Sequence, residues 1–229
     1  MPRQLKNQGV LPATASRRDL VFYPYQPDGF GVYYTPFFEG QKIMDMKLFS
    51  IPDYFKTVSE VLSRLPQKPV EDMTAILRQA REESRIIFCC GNGGSAGNAS
   101  HFVNDVVKST VCEGKTRYRL VSLTDNVPTL TAYANDVGYE VVFSEPLQSL
   151  GRPGDVLLAI SGSGNSPNVL KAMEVAAQMG MKRIGLSGFQ GGKLASMCDP
   201  CVVVPSDSMQ IIEDIHLIVL HSVFLQLVQ

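Results

Sequence analysis

The 229-residue chain sets 21 Lys and Arg against 22 Asp and Glu, a formal charge of −1 at pH 7, with 45% hydrophobic and 19% charged residues. Such a chain can bury a full core, which excludes a disordered or collagen-like protein; with no basic footprint or like-charged block, nucleic acid is not expected as a partner. No stretch reaches the roughly 18 uninterrupted apolar residues of a membrane span, and the opening MPRQLKNQGVLP lacks the apolar segment of a secretory leader, so a cytoplasmic protein with no membrane partner is expected.

Residues 1–45 crowd Phe22, Tyr23, Tyr25, Phe30, Tyr33, Tyr34, Phe37 and Phe38 among Pro24, Pro27, Gly29, Gly31 and Pro36. This mixture breaks helices, is too aromatic for ordinary disorder and holds nothing suited to acid–base or metal chemistry, so it reads as an appended arm before a single domain over 46–229. From Ile51, apolar residues recur at Phe55, Val58, Leu62 and Leu65; after Pro66 and Pro69 they recur at Val70, Met73, Leu77 and Ala80. These spacings of three and four predict a helical hairpin. Strands are then predicted at 85–90, 119–123, 155–160, 182–186 and 200–204, separated by helices at 95–108, 127–135, 166–179 and 192–197 and followed by one at 208–228. Short buried β-branched runs alternating with helices specify an α/β fold, a three-layer sandwich with a central parallel sheet flanked by helices. Ligands bind beyond the carboxyl ends of such strands.

The first of those loops is Gly91-Asn92-Gly93-Gly94-Ser95, opening a helix. Glycines let a backbone approach a ligand closely, and a helix N-terminus offers unpaired N–H groups with partial positive charge. A second loop of the same type, Ser161-Gly162-Ser163-Gly164-Asn165-Ser166, adds three hydroxyls. Two anion-binding loops without Lys or Arg suit a phosphomonoester on a small polar body, a phosphosugar. The five cysteines form no secreted disulfide framework; Cys198 and Cys201 make a C-x-x-C, read as small residues packing beside a strand because neither a second pair nor a nearby histidine accompanies it.

His101 and Asp105 are four residues apart, hence on one helix face. Glu213 and His221 are eight apart on the last helix, about 80° round its axis, so both can point to one side. Two helices can thus deliver carboxylates and imidazoles to a shared metal or a proton-transfer site. The remaining histidine, His216, reads as a core or interface residue.

The glycine loop, the Ala134-Asn135-Asp136 element, Gly151-Arg152-Pro153-Gly154-Asp155 and the serine loop, in this order, resemble the sugar isomerase (SIS) family, in particular its phosphoheptose isomerase branch, over roughly residues 50–229. The resemblance implies an aldose–ketose isomerase converting sedoheptulose 7-phosphate to D-glycero-D-manno-heptose 7-phosphate through an enediol. It implies substrate binding by Asn92, Gly93, Gly94, Ser95, Asn135, Asp136, Ser161, Gly162, Ser163 and Ser166. It further implies a homotetramer with sites between subunits, and Zn²⁺ held by His101, Asp105, Glu213 and His221, of which His221, Asp105 and Glu213 carry proton transfer. Asp105 and Glu213 replace the branch's Glu and Gln, and Ser109 stands where it often places an arginine. Two other readings stand beside this one: a non-catalytic phosphosugar-binding or replication-initiator-binding relative, and an isomerase of another phosphosugar.

Overall fold

The computed structural model describes residues 49–228, so the aromatic arm and the boundary at 45 lie outside the described residues. Two helices, α1 (Ile51–Ser63) and α2 (Gln67–Glu82), precede alternating elements: β1 (Ile86–Gly91), α3 (Gly94–Ser109), β2 (Arg119–Ser122), α4 (Val127–Asp136), α5 (Ser144–Leu150), β3 (Val156–Ser161), α6 (Pro167–Gln178), β4 (Lys182–Ser187), β5 (Cys201–Val203) and α7 (Met209–Leu227). The five strands are all parallel, in the order β2-β1-β3-β4-β5.

The period of two along the strands divides the core into two layers. Ile87, Cys89, Val156, Leu158, Ile160, Ile184 and Leu186 face one way, against Phe102 and Val106 of α3, Leu77 of α2 and Ile211, Ile215 and Val219 of α7. Phe88, Cys90, Leu157 and Ala159 face the other, against Val169 and Met173 of α6 and Leu147 of α5. The three layers and the helical hairpin match the expected architecture. On α1 the contact line runs through Tyr54, Val58, Val61 and Leu62 and continues to Leu65 just beyond the helix, whereas Phe55, expected on that line, is exposed. Asp155, expected to open β3, instead joins the starts of two strands: its buried carboxylate accepts from the N–H groups of Ile86 and Arg152, both at 2.9 Å.

Two other expectations change. α5 was not visible as a pattern, because seven residues are too short for a repeating stripe. The expected helix at 192–197 is a single 3₁₀ turn, Leu194–Ser196, entered through Gly191 and Gly192 in left-handed conformations (φ 87° and 56°). α7 is long and apolar enough by composition to cross a membrane. It is built into the fold, with Ile211, Ile212, Ile215, His216, Val219, Leu220, Val223 and Leu227 buried.

Strand order reverses between β1 and β3: the chain steps from β1 to β2 on one side, then returns to place β3 on the other. Their carboxyl ends are paired, Gly91 against Ile160. A crevice therefore opens where the glycine loop and the serine loop leave the sheet, the usual ligand position in open parallel sheets.

Candidate functional site

The glycine loop turns sharply from β1 into α3. Gly93 sits at φ 54°, a left-handed conformation that glycine adopts without a steric cost, and caps α3 in place of a side-chain cap. Gly91 has no room for a Cβ, which would lie 2.8 Å from Ser95 Cβ and 2.9 Å from Ile160 O. The turn is closed on itself, Ser95 N donating to Asn92 O at 2.9 Å and Ala96 N to Gly93 O at 3.0 Å, so the partial positive charge of the helix start faces the crevice. Ser95 is buried beneath the turn.

Across the crevice, Ser161 Oγ and Ser166 Oγ are 3.1 Å apart, and Ser163 Oγ accepts from Asn165 N at 3.2 Å. Gly164 (φ 64°) closes the turn by donating its N–H to Ser161 O at 2.9 Å. The first turn of α7 and the segment after β4 hold this loop from below. Met209 packs against Gly162, Gly188 N donates to Gly162 O at 2.9 Å, Leu194 N donates to Gly164 O at 3.0 Å and Lys193 N donates to Asn165 Oδ1 at 3.1 Å.

An amide pair that the sequence did not signal joins the two loops. Asn92 Nδ2 donates to Asn168 Oδ1 and Asn168 Nδ2 donates to Asn92 Oδ1, both at 2.8 Å. Asn168 is 2% exposed, and its Oδ1 also accepts from Val169 N at 3.0 Å. Tyr139, in the turn before α5, donates its hydroxyl to Asn92 Oδ1 at 3.0 Å. An asparagine in the first turn of a helix looks like local capping, so only the partner across the crevice reveals this role. Asn135 and Asp136 end α4, exposed, with Asn135 Nδ2 donating to Asp136 Oδ1 at 2.7 Å.

Helices α3 and α7 run side by side in the same direction, and their seam carries the ionisable residues. His221 Nε2 lies 3.0 Å from His101 Nε2, and Asp105 Oδ2 lies 3.2 Å from His101 Nε2 and 3.5 Å from His221 Nε2. These three offer ligand atoms that all lie within 4.8 Å of one another, a group able to hold a metal ion. The His101 and His221 side chains are 47% and 45% exposed, so the cluster is open to an incoming molecule.

Glu213 faces the same seam but sits at its loop end. Its carboxylate lies directly against Gly94, whose added Cβ would stand 2.6 Å from Glu213 Cδ, and its backbone O accepts from Asn98 Nδ2 at 3.0 Å. Burial, reinforced by the charge of Asp214, pushes the Glu213 carboxyl above the usual range. Eight residues at about 1.5 Å rise set Glu213 roughly 12 Å along α7 from His221, so sharing a face does not bring it into the cluster. His216 is buried, its Nε2 3.0 Å from Ser187 O and its Nδ1 without a partner, and burial lowers its pKa to about 4.

A switch-point crevice lined by amides and hydroxyls, beside an imidazole–carboxylate cluster, defines an α/β protein that holds a small phosphorylated ligand. The SIS domain model matches residues 53–188. The chain is similar to the phosphoheptose isomerases of Helicobacter pylori (41% identical over 155 residues, 68% of this chain and 80% of the relative) and Rhodospirillum rubrum (44% over 149 residues, 65% and 77%). The structure of a phosphoheptose isomerase from Neisseria gonorrhoeae superposes with a TM-score of 0.72 at 31% identity, covering 77% of this chain and 96% of that one. The chain belongs to the sugar isomerase (SIS) family, in its phosphoheptose isomerase branch.

Proposed function

We propose that the protein is an aldose–ketose isomerase that converts sedoheptulose 7-phosphate to D-glycero-D-manno-heptose 7-phosphate. The observation that carries this reading is the cluster of His101 and Asp105, on the same α3 whose N-terminus follows the glycine loop, with His221 of α7. Gly94 and His101 are seven residues apart, about 10 Å along the helix, a span that an open-chain phosphosugar can bridge from its phosphate to its carbonyl.

Ser161, Ser163 and Ser166, with the amides of the glycine loop, hold the phosphate through many neutral hydrogen bonds. Asn135 and Asp136, exposed at the end of α4, are the further substrate-binding residues that the family resemblance implies. At the other end, Asp105 or His221 removes a proton from C1 of the ketose, giving an enediol. The proton returns to C2, and a proton passes between the two oxygens, so the aldose forms with no net loss of atoms or electrons. General acid–base catalysis of this kind contributes about 10²–10⁴-fold. Glu213, held at the loop end of the seam with a raised pKa, is placed to exchange a proton with the sugar hydroxyls between the two ends.

The donor set fits zinc. The three donor atoms stand 3.0, 3.2 and 3.5 Å apart, close to the spacing of about 3.3 Å around a tetrahedral ion bound at about 2.0–2.1 Å. His101, Asp105 and His221 would hold the ion, which would supply a Lewis acid for the substrate carbonyl; Glu213, which the family resemblance adds to the ligand set, lies outside this cluster against Gly94. We further propose a cytoplasmic homotetramer. The half-exposed cluster and the exposed Ile51, Phe55, Ile218 and Leu225 on α1 and α7 support a site completed by a neighbouring subunit.

The test is exchange of the C1 proton and formation of the aldose from sedoheptulose 7-phosphate in D₂O, followed by NMR. Turnover by the wild type and its loss in His221→Ala are expected. Full isomerisation by His221→Ala overturns the assignment.

A further inference from the structure

The C-x-x-C motif has no part in the reaction above, yet its two thiols share one niche. Cys198 follows the 3₁₀ turn and Cys201 opens β5, and both sulfurs converge over Gly185 of β4: a Cβ there would lie 2.5 Å from Cys198 Sγ and 3.0 Å from Cys201 Sγ. The thiols are hydrogen-bonded to each other and only partly buried. The single Cys198 S–H is shared between Cys201 and Leu194 O, the latter 3.1 Å from Cys198 Sγ, and Ser187 Oγ lies 3.9 Å from Cys201 Sγ. The bond from Cys198 lowers the pKa of Cys201, favouring a nucleophilic thiolate, and raises that of Cys198 itself. The other cysteines differ. Cys89 and Cys90 are fully buried on opposite faces of β1, where burial pushes the Cys90 thiol up to about 12 and the Cys89 thiol higher still, and Cys112 is exposed.

We propose that Cys198 and Cys201 form a dithiol site that undergoes thiol–disulfide exchange with low-molecular-weight disulfides, and that its oxidation state tunes the serine loop. In the first step the Cys201 thiolate attacks one sulfur of the incoming disulfide and expels one thiolate. In the second, Cys198 loses its proton and attacks the Cys201 sulfur of the mixed disulfide, expelling the other. Two electrons pass to the incoming disulfide, and two protons end on the thiols released. The link to the loop is short. Leu194 accepts from Cys198 through its O and donates through its N to Gly164 O, and the preceding Lys193 N bonds Asn165 Oδ1. Disulfide formation removes the S–H donor from Leu194 and re-aims the segment that clamps the loop.

The experiment treats the reduced full chain, in a Cys112→Ser background, with oxidised glutathione, then maps thiols by differential alkylation and mass spectrometry. Expected are the loss of two hydrogens and joint protection of Cys198 and Cys201, reversed by a reductant, with Cys198→Ser leaving a glutathione adduct on Cys201. Equal alkylation of both cysteines before and after treatment overturns the site, as does a stable adduct on either cysteine in place of the internal bond. The loop effect rests on the isomerase reading: KM for sedoheptulose 7-phosphate should rise about threefold on oxidation, the scale of one hydrogen bond, and stay constant in Cys198→Ser/Cys201→Ser. An unchanged KM in the disulfide form overturns the coupling. Because the alkylation pattern is read without turnover, failure of the dithiol site and failure of the isomerase reading are separable.

Discussion

The two ends of the crevice are built on opposite principles. At the loop end, nearly every group has its place fixed by the fold. Ser161 is 3% exposed and Asn168 2% exposed, Gly93 and Gly164 adopt left-handed backbone conformations, and Asn92 is bonded from both sides. At the seam end, His101, Asp105 and His221 stand on two well-packed helices but project from them, with the imidazoles almost half exposed. Backbone position is settled by the core at both ends, whereas side-chain position is settled only at the loops. A substitution at a buried loop-end residue such as Ser161 or Asn168 should therefore disturb folding and binding together, and one at the seam should disturb chemistry with little effect on folding.

The sharpest way to break that contrast is His221→Ala. Losing a proton-transfer group should lower kcat by about 10²–10⁴-fold, while the melting temperature stays close to the wild-type value because an exposed imidazole contributes little packing. A melting temperature that collapses with the activity would show that the seam, too, is a structural element. Calorimetry beside the isomerase assay decides this.

This contrast also explains what was legible in the sequence. The five strands and the helical hairpin were readable because buried period-two and amphipathic patterns are imposed by the sheet and its covering helices. The glycine and serine loops were readable as sharp strand-to-helix turns because runs of glycine and serine directly after a buried apolar strand mark such junctions. Helical angle correctly put Glu213 and His221 on the α3 side of α7, but angle says nothing of rise, and the rise sends the Glu213 carboxylate to Gly94. Asn168 and Tyr139 escaped because their partner, Asn92, is 76 and 47 residues away in sequence. Contacts that depend on which loops the topology brings together leave no local pattern.

The next effect comes from a residue on α7 that faces neither end. His216 has its pKa lowered to about 4 by burial. A base with a folded pKa below its unfolded value of about 6.5 binds protons more readily when unfolded, so the stability present above that value is lost as pH falls toward 4. The loss is on the order of 3 kcal/mol. His216→Gln does not titrate, and urea unfolding at pH 7 and pH 4.5 should show a flatter acid limb than the wild type. Parallel limbs would mean that His216 is not the group that takes up the proton.

Asn168→Ala probes the loop end. It deletes both bonds to Asn92 and the acceptor for Val169 N, and a buried polar group left without a partner costs about 1–3 kcal/mol. Stability should fall by that amount and KM should rise, with kcat changed less than KM. Tyr139→Phe, which removes one exposed donor to the same oxygen, should leave stability unchanged and raise KM only slightly. Equal losses in the two variants would show that burial of the amide pair does not matter.

The smallest effect is expected from Ser163→Ala, and it discriminates most finely. Ser163 is half-buried, and its hydroxyl accepts one bond, from the exposed Asn165 N–H, which water can satisfy in its place. Folding should therefore barely register the change. The phosphate should lose one neutral hydrogen bond, about 1 kcal/mol or roughly fivefold in KM, with kcat unchanged because the bond is the same in the ground and transition states. Ser161→Ala, at a buried hydroxyl bonded to Ser166, should lower the melting temperature as well. A fall in kcat without a rise in KM for Ser163→Ala would move Ser163 from holding the phosphate to contacting the reacting carbons, and the two ends of the crevice would then no longer divide binding from chemistry.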